Sequence, residues 1–280
     1  MFKKQNKGKD INKIPTSKLD TEAIYYISMK LDGHYTQIVY DGVDVKFYTS
    51  GNKEFYLDDV ANDIKRTISE PFHIECEFIY DCDGKLGSRG KSAMLTTFRT
   101  NFNKGIKTLG GTKSQFMVLD RLDLPEYEFK YRVGRLPITN WLTPVAQIAG
   151  SLDFGKELAA QWVKEGYEGA MLKDRYHFYQ EGKRTNDIIK IKPRLTADLK
   201  CIDYKDGTGK YEGMIGSLLL CDSIGREVLV GSGLNDNLRD KDPEYFLGKV
   251  IEIEYERVDN TYIQPIFKCI RDDKDIYDID

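Results

Sequence analysis

Apolar and polar positions change period several times along the chain, and each change marks an element. Residues 23–29 (AIYYISM) are a run rich in β-branched and aromatic residues, which predicts a buried strand, and Gly33 marks its turn. Residues 35–40 and 44–48 alternate around Asp41-Gly42, so a hairpin and an antiparallel start are expected. Leu57, Val60, Ala61, Ile64 and Ile68 then recur at helical spacing, the stripe of an amphipathic helix covering a sheet. Residues 72–80 return to period two, with Ile74, Cys76 and Phe78 on one face and His73, Glu75 and Glu77 on the other. The plain account of those acids is an edge strand with a wet face; away from water they need a cation between them.

Residues 114–120 form another apolar strand, ending in Asp120, and Leu158, Ala159, Trp162 and Val163 predict a helix over 152–165 closed by Gly166. Residues 168–173 (EGAMLK) open a strand on a carboxylate and close it on an ammonium. Residues 187–193 (DIIKIKP) set Lys190 and Lys192 on one face, Ile189 and Ile191 on the other. Two like charges on one strand face are costly unless an anion joins them. Past Pro193 come five short strands (199–204, 215–221, 227–231, 249–255 and 262–270) between Gly- and Asp-rich turns, the texture of a small OB-type barrel. The expected organisation is a basic tail over 1–20, a first domain over 21–193 and an all-β domain over 194–280, in the α+β class.

The 280 residues suit one large domain or two moderate ones. Net charge is -3, so a nucleic-acid partner has to be held by local basic patches, of which residues 3–13 and 183–200 are two. The five cysteines are scattered without CxxC spacing, which argues against a zinc site and a disulfide framework and fits a reducing compartment. With no membrane-length apolar run and no signal-peptide core at the start, the expected location is the cytoplasm. Residues 84–92 (GKLGSRGKS) do not make a phosphate-binding P-loop: five residues separate Gly84 from Gly90 where that loop needs four.

The candidate chemistry starts at Lys30-x-Asp32-Gly33. In an extended chain Lys30 and Asp32 face the same side. Taken alone, they read as a surface ion pair before a turn. A lysine nucleophile is the sharper reading: its ammonium must lose a proton, which burial and neighbouring cations promote and a carboxylate opposes. The ordered set Lys30-x-Asp32-Gly33, Glu77, Phe116 to Asp120, Glu168-Gly169-x-x-x-Lys173, Lys190-x-Lys192 and Arg271-x-x-Lys274 resembles the covalent nucleotidyltransferase superfamily of polynucleotide ligases and RNA capping enzymes. Residues 209–217 (GKYEGMIGS), 230–233 (VGSG) and 270–274 (IRDDK) resemble the OB domain of ATP-dependent DNA ligases, in particular the small two-domain ligases of phages, viruses and bacteria.

That resemblance implies a nucleotidyltransferase (adenylation) domain of antiparallel sheets flanked by helices, followed by an OB-fold barrel. It implies ATP and magnesium as cofactors, and nicked double-stranded DNA as the partner of a monomer that does not engage membranes. Lys30 would attack the α-phosphate, with Lys190 and Lys192 facing that phosphate and Asp32 orienting the reactants and activating the 3′ hydroxyl. Ser28, Met29, Phe116 and Lys173 would help to hold the nucleotide, Glu77 and Glu168 the nucleotide's magnesium, and Arg271 and Lys274 the pyrophosphate. Several positions depart from the family pattern. Tyr35 and the turn at residues 49–52 lack arginines that usually meet phosphates, and Leu119 replaces the aromatic that covers adenine, leaving Phe116 or an aliphatic contact as the platform. Ile188 stands where tryptophan is common and Cys269 where an arginine often stands. An RNA ligase or capping-type enzyme shares the lysine chemistry, and a non-catalytic DNA-binding OB protein is the reading from another class.

Overall fold

Alternation and long apolar runs reappear as two sheets in the first of two compact units, Met1–Lys192 and Pro193–Asp280. The computed structural model describes residues 2–79, 108–109, 114–165, 167–258, 260–275 and 277–280. The P-loop candidate at 84–92, Cys82, the last residue of the strand expected over 72–80 and the helix stop at Gly166 lie outside them.

The strands of the first unit are β1 (Lys7–Asp10), β2 (Tyr25–Met29), β3 (His34–Tyr40), β4 (Val45–Thr49), β5 (Glu54–Phe55), β6 (Phe72–Ile79), β7 (Gln115–Arg121), β8 (Leu142–Pro144), β9 (Ile148–Gly150), β10 (Ala170–Asp174) and β11 (Arg184–Ile191). One sheet runs β1-β11-β10-β2-β9 and the other β5-β4-β3-β6-β7-β8. Neighbours are antiparallel except β1 with β11 and β7 with β8. Helix α1 (Asp58–Thr67) lays Val60 and Ile64 on Ile38, Phe47, Ile74 and Phe116 of the second sheet. Acids in its first turn and Lys65 and Arg66 in its last complement the helix dipole. A five-residue helix, α2 (Phe129–Val133), follows β7, and α3 (Leu152–Lys164) covers the first sheet with Leu152 and Ala159 against Ile27, Leu172 and Ile189. Ser151 caps α3 by accepting from the Phe154 N–H (3.2 Å). At Gly155 a Cβ would lie 2.6 Å from Leu172, so glycine lets this helix settle onto β10.

Two expectations change here. Residues 7–10, placed in a basic tail, form β1 and pair in parallel with β11. The segment before it is anchored as well: the Lys3 N–H donates to Gln37 Oε1 (3.0 Å) and Lys3 Nζ to the Leu122 carbonyl (2.7 Å). A four-residue polar strand carries no hydrophobic period; what holds it is backbone pairing and the bare Cα of Gly8, where a Cβ would stand 2.7 Å from Ile188. Second, β6 is no edge strand. It lies between β3 and β7, and of its acids Glu75 is buried while Glu77 stays partly exposed.

In the second unit, β12 (Leu195–Asp206), β13 (Ile215–Cys221), β14 (Glu227–Val230), β15 (Val250–Tyr255) and β18 (Ile266–Ile270) form an antiparallel sheet in the order β14-β13-β12-β15-β18. The pair β16 (Arg257–Val258) and β17 (Tyr262–Ile263) stands apart. Leu199, Leu218, Leu220, Phe246, Ile251 and Ile253 fill its core. The expected barrel is not a closed ladder among the described residues: β14 stops at Val230, and beyond it the Phe267 N–H of β18 reaches the Ser232 carbonyl (2.8 Å). Gly233 allows that approach; it has φ +91°, and a Cβ there would lie 2.3 Å from the Phe267 carbonyl oxygen. Among the described residues no helix is long and apolar enough to cross a membrane.

Candidate active site

Met29 of β2, Ala170 of β10 and Ile191 of β11 are cross-strand partners at one end of the first sheet. Because β10 enters where β2 and β11 leave, the residues just beyond this row converge: Lys30 after β2, Glu168 before β10, Lys192 after β11. The Lys30 N–H donates to the Gly169 carbonyl (2.8 Å). Gly169 has φ +129°, and a Cβ there would sit 2.1 Å from the Ile191 carbonyl oxygen, so the turn into β10 requires glycine. The Lys30 and Lys192 ammoniums each contact one oxygen of Glu168. Burial alone would raise the Glu168 pKa; Lys30 and Lys192 outweigh it and hold the carboxyl below its ordinary range.

The second sheet supplies the facing acids. Gly33 donates its N–H to Glu77 Oε1 (2.9 Å), at a spot where a Cβ would lie 2.5 Å from the Phe78 carbonyl oxygen. Burial pushes the Glu77 carboxyl up to about 7, against Lys30 and the Gly33 N–H, which pull it down. A cavity of about 140 Å³ lies here, and Ser28, Met29, Lys30, Glu77, Lys173 and Lys190, all expected from the sequence, line it. Burial lowers the Lys190 pKa, and the charges of Lys30, Arg184, Lys192 and Lys7 lower it further.

Other expected residues lie elsewhere. Phe116 is fully buried in the core behind the second sheet, stacked on Phe78 with centroids 4.5 Å apart, and is no base platform. Its strand alternates: Phe116 and Val118 face the core, while Leu119 lines the cavity together with Ile188 and Met171. The apolar wall of the cavity is therefore aliphatic. Asp32 is buried but does not line the cavity, because β2 ends at Met29, before the two-residue period can carry from Lys30 to Asp32. Arg271 and Lys274 belong to the second unit, where both bind Asp198 (3.2 and 2.6 Å) and Arg271 also binds Glu252 (3.0 Å).

Sequence reasoning missed a buried ionic network under the cavity. Asp120 receives both Nε and Nη2 of Arg132 (2.8 and 2.9 Å), each side chain being almost wholly enclosed. Lys173 lies 3.3 Å from Asp120 and 3.5 Å from Glu75, and the Tyr35 hydroxyl donates to Glu75 (3.0 Å). Burial raises the Glu75 pKa; for Asp120 the neighbouring Lys173 and Arg132 overcome burial and lower it. Asp120 near the end of β7, Glu75 and Lys173 were each visible in the sequence, but their pairing and Arg132 were not.

The donor set can be tested against a divalent cation. Magnesium takes oxygen ligands, commonly one or two carboxylates beside substrate phosphates. Glu77 fits, since its only hydrogen bond among the described residues is from one backbone N–H and burial disfavours its charge until a cation arrives. Glu168, expected as the second ligand, does not fit as it stands, because both its oxygens are held by lysines. No cluster of three His, Cys, Asp or Glu side chains suited to a metal occurs among the described residues.

Comparisons with known proteins agree on one family. The ATP dependent DNA ligase domain matches residues 7–192 and the DNA ligase OB-like domain residues 206–271. A probable DNA ligase of Pseudarthrobacter chlorophenolicus is 26% identical over 283 residues, covering 90% of this chain and 51% of that protein. One from Streptomyces coelicolor is 28% identical over 209 residues, covering 69% and 40%. The chain thus spans about half the length of the first relative and less of the second. Among solved structures, a Lig E DNA ligase superposes with TM-score 0.68 at 21% identity, covering 97% of this chain and 100% of that one. The ATP-dependent DNA ligase of bacteriophage T7 gives 0.55 at 16%, covering 95% and 98%. At these identities the structural likeness speaks for the fold.

Proposed function

The chain belongs to the ATP-dependent DNA ligase family, and on that premise we propose that it seals nicks in duplex DNA through a lysyl-AMP intermediate. The observation that most supports this reading is Lys30 on the cavity wall, sharing Glu168 with Lys192 and standing near Lys190. Lys190 and Lys192 bring positive charge beside Lys30 for the α-phosphate, and Glu168 fixes where Lys30 and Lys192 point.

In the first transfer, Lys30 Nζ bonds the α-phosphorus of ATP and the bond to the pyrophosphate oxygen breaks. The amine proton leaves through the Glu168 carboxylate in contact with it. Lys190 and Lys192 offset charge on the phosphate oxygens as they shift in line. A divalent cation, when held through Glu77, supplies further positive charge on those phosphates. In the second transfer a 5′-phosphate oxygen of the nick takes AMP from Lys30; in the third the 3′ hydroxyl attacks that 5′ phosphorus, AMP departs and the strand is sealed. Asp32, enclosed between Lys30 and Gly33, orients the motif.

The test is a labelled duplex with one 5′-phosphorylated nick, incubated with ATP and magnesium beside the same duplex lacking the phosphate and a nicked RNA duplex. ATP-dependent sealing of the phosphorylated DNA nick is expected. Sealing confined to RNA, or uptake of GTP in place of ATP, overturns the DNA ligase reading.

A further inference from the structure

Beside the Lys30 cavity lies a second, wider one of about 370 Å³, and Gln5 and Lys7 line both. Its charged walls come from two segments far apart in sequence: Lys4 and Lys7 from the N-terminal segment, Lys183 and Arg184 from the turn into β11. Backbone pairing brings them together. The Gly182 N–H donates to the Lys4 carbonyl (3.0 Å), the Lys7 N–H to the Lys183 carbonyl (2.8 Å), and Lys7 and Arg184 are direct partners in the β1–β11 ladder.

All four cations are exposed, and among the described residues none forms an ion pair with a carboxylate. The acid of the turn, Glu181, spends Oε1 on the Lys4 backbone N–H (2.9 Å). Like charges set opposite each other on adjacent strands repel, and a polyanion between them removes the cost. The chain as a whole is net negative, so this concentration of unpaired positive charge is local. Tyr35 and Ser50, from the two places where the sequence lacks arginines, line the same groove.

We propose that this groove holds the DNA backbone leading to the 5′-phosphate of the nick, with Lys4, Lys7, Lys183 and Arg184 as its phosphate contacts. The inference rests on the ligase reading, because a 5′-phosphate taking AMP from Lys30 must approach the first cavity and its own strand must lie alongside. The groove joins that cavity through Lys7 and Gln5 and has the charge such a strand needs.

The experiment measures affinity of the full chain for nicked duplex without ATP across a salt series, for the native protein and Lys183→Ala/Arg184→Ala. Affinity should fall about tenfold near 0.1 M salt, and the plot of log affinity against log salt should flatten by about two, since each phosphate contact contributes about 0.9. AMP uptake from ATP should fall far less than DNA affinity, by no more than the loss of the Arg184 charge near Lys190 accounts for, and Lys183→Arg/Arg184→Lys should restore binding. Unchanged affinity and slope overturn the groove. So does impaired AMP uptake with normal DNA binding, which would give these cations to the ATP phosphates. Failure of the native chain to take up AMP strikes the ligase reading instead, and the binding series still decides the groove.

Discussion

The two sheets of the first unit bring opposite charge to one cavity. The β1-β11-β10-β2-β9 sheet carries Lys7, Lys173 and Lys190, with Lys30 and Lys192 just past its strand ends. In the other sheet β6 and β7 carry Glu75, Glu77 and Asp120. The difference in pairing teaches more than the difference in sign. Asp120 is saturated by Arg132 and Lys173, and Lys173 in turn reaches Glu75 in the opposite sheet. Those contacts tie the sheets together. Lys190 has no carboxylate partner and Glu77 only a backbone N–H, among the described residues. Fully paired charge serves as architecture, and charge left open at the cavity is available to a ligand.

Breaking the saturated side should cost the most stability. Arg132→Met leaves Asp120 buried without its bidentate partner, and urea unfolding should register a loss of about 4 kcal/mol; Asp120→Leu added to it should recover part of that. Glu77→Gln should act in the opposite direction. The native Glu77 carboxyl titrates at about 7 against an ordinary 4.5, so the folded state binds the extra proton between those values. Its favourable contribution is complete below pH 4.5 and is lost as pH rises through 7. The glutamine should therefore make the fold more stable than the native protein by about 3 kcal/mol above pH 7 and equally stable below 4.5. The same substitution should weaken magnesium dependence of AMP uptake. Glu168→Gln removes the anion shared by Lys30 and Lys192 and should slow AMP uptake about 100-fold with the fold intact, read as a single-turnover rate. Tyr35→Phe deletes the hydroxyl that donates to Glu75 and accepts from Gln37 and should cost about 2 kcal/mol, the smallest effect of the set.

Much of this arrangement was legible because burial imposes a period. The runs that became β2, β3, β4, β6, β7, β10, α1 and α3 each have at least one buried face, and Lys30, Glu168 and Lys192 were readable because they flank apolar strands. Phe116 was misread although its signal was present: it lies an odd number of residues from Leu119, so the two cannot share a face. β1 left no such trace, since Lys-Gly-Lys-Asp buries little and is held by backbone bonds to a strand more than 170 residues away. Arg132 was equally silent. It comes from a five-residue helix, and the partner that makes it structural is set by tertiary packing. The OB-type strands were readable from their turns, whereas the gap in their ring depends on where β14 stops pairing.

The central claim is that Lys30 is the residue that carries AMP. The direct measurement is the intact mass of the purified chain, first stripped with pyrophosphate, then incubated with ATP and magnesium, beside Lys30→Ala. The account predicts a gain of one AMP that Lys30→Ala does not show and that nicked DNA discharges. No gain in the native chain, or the same gain in the alanine variant, would contradict it.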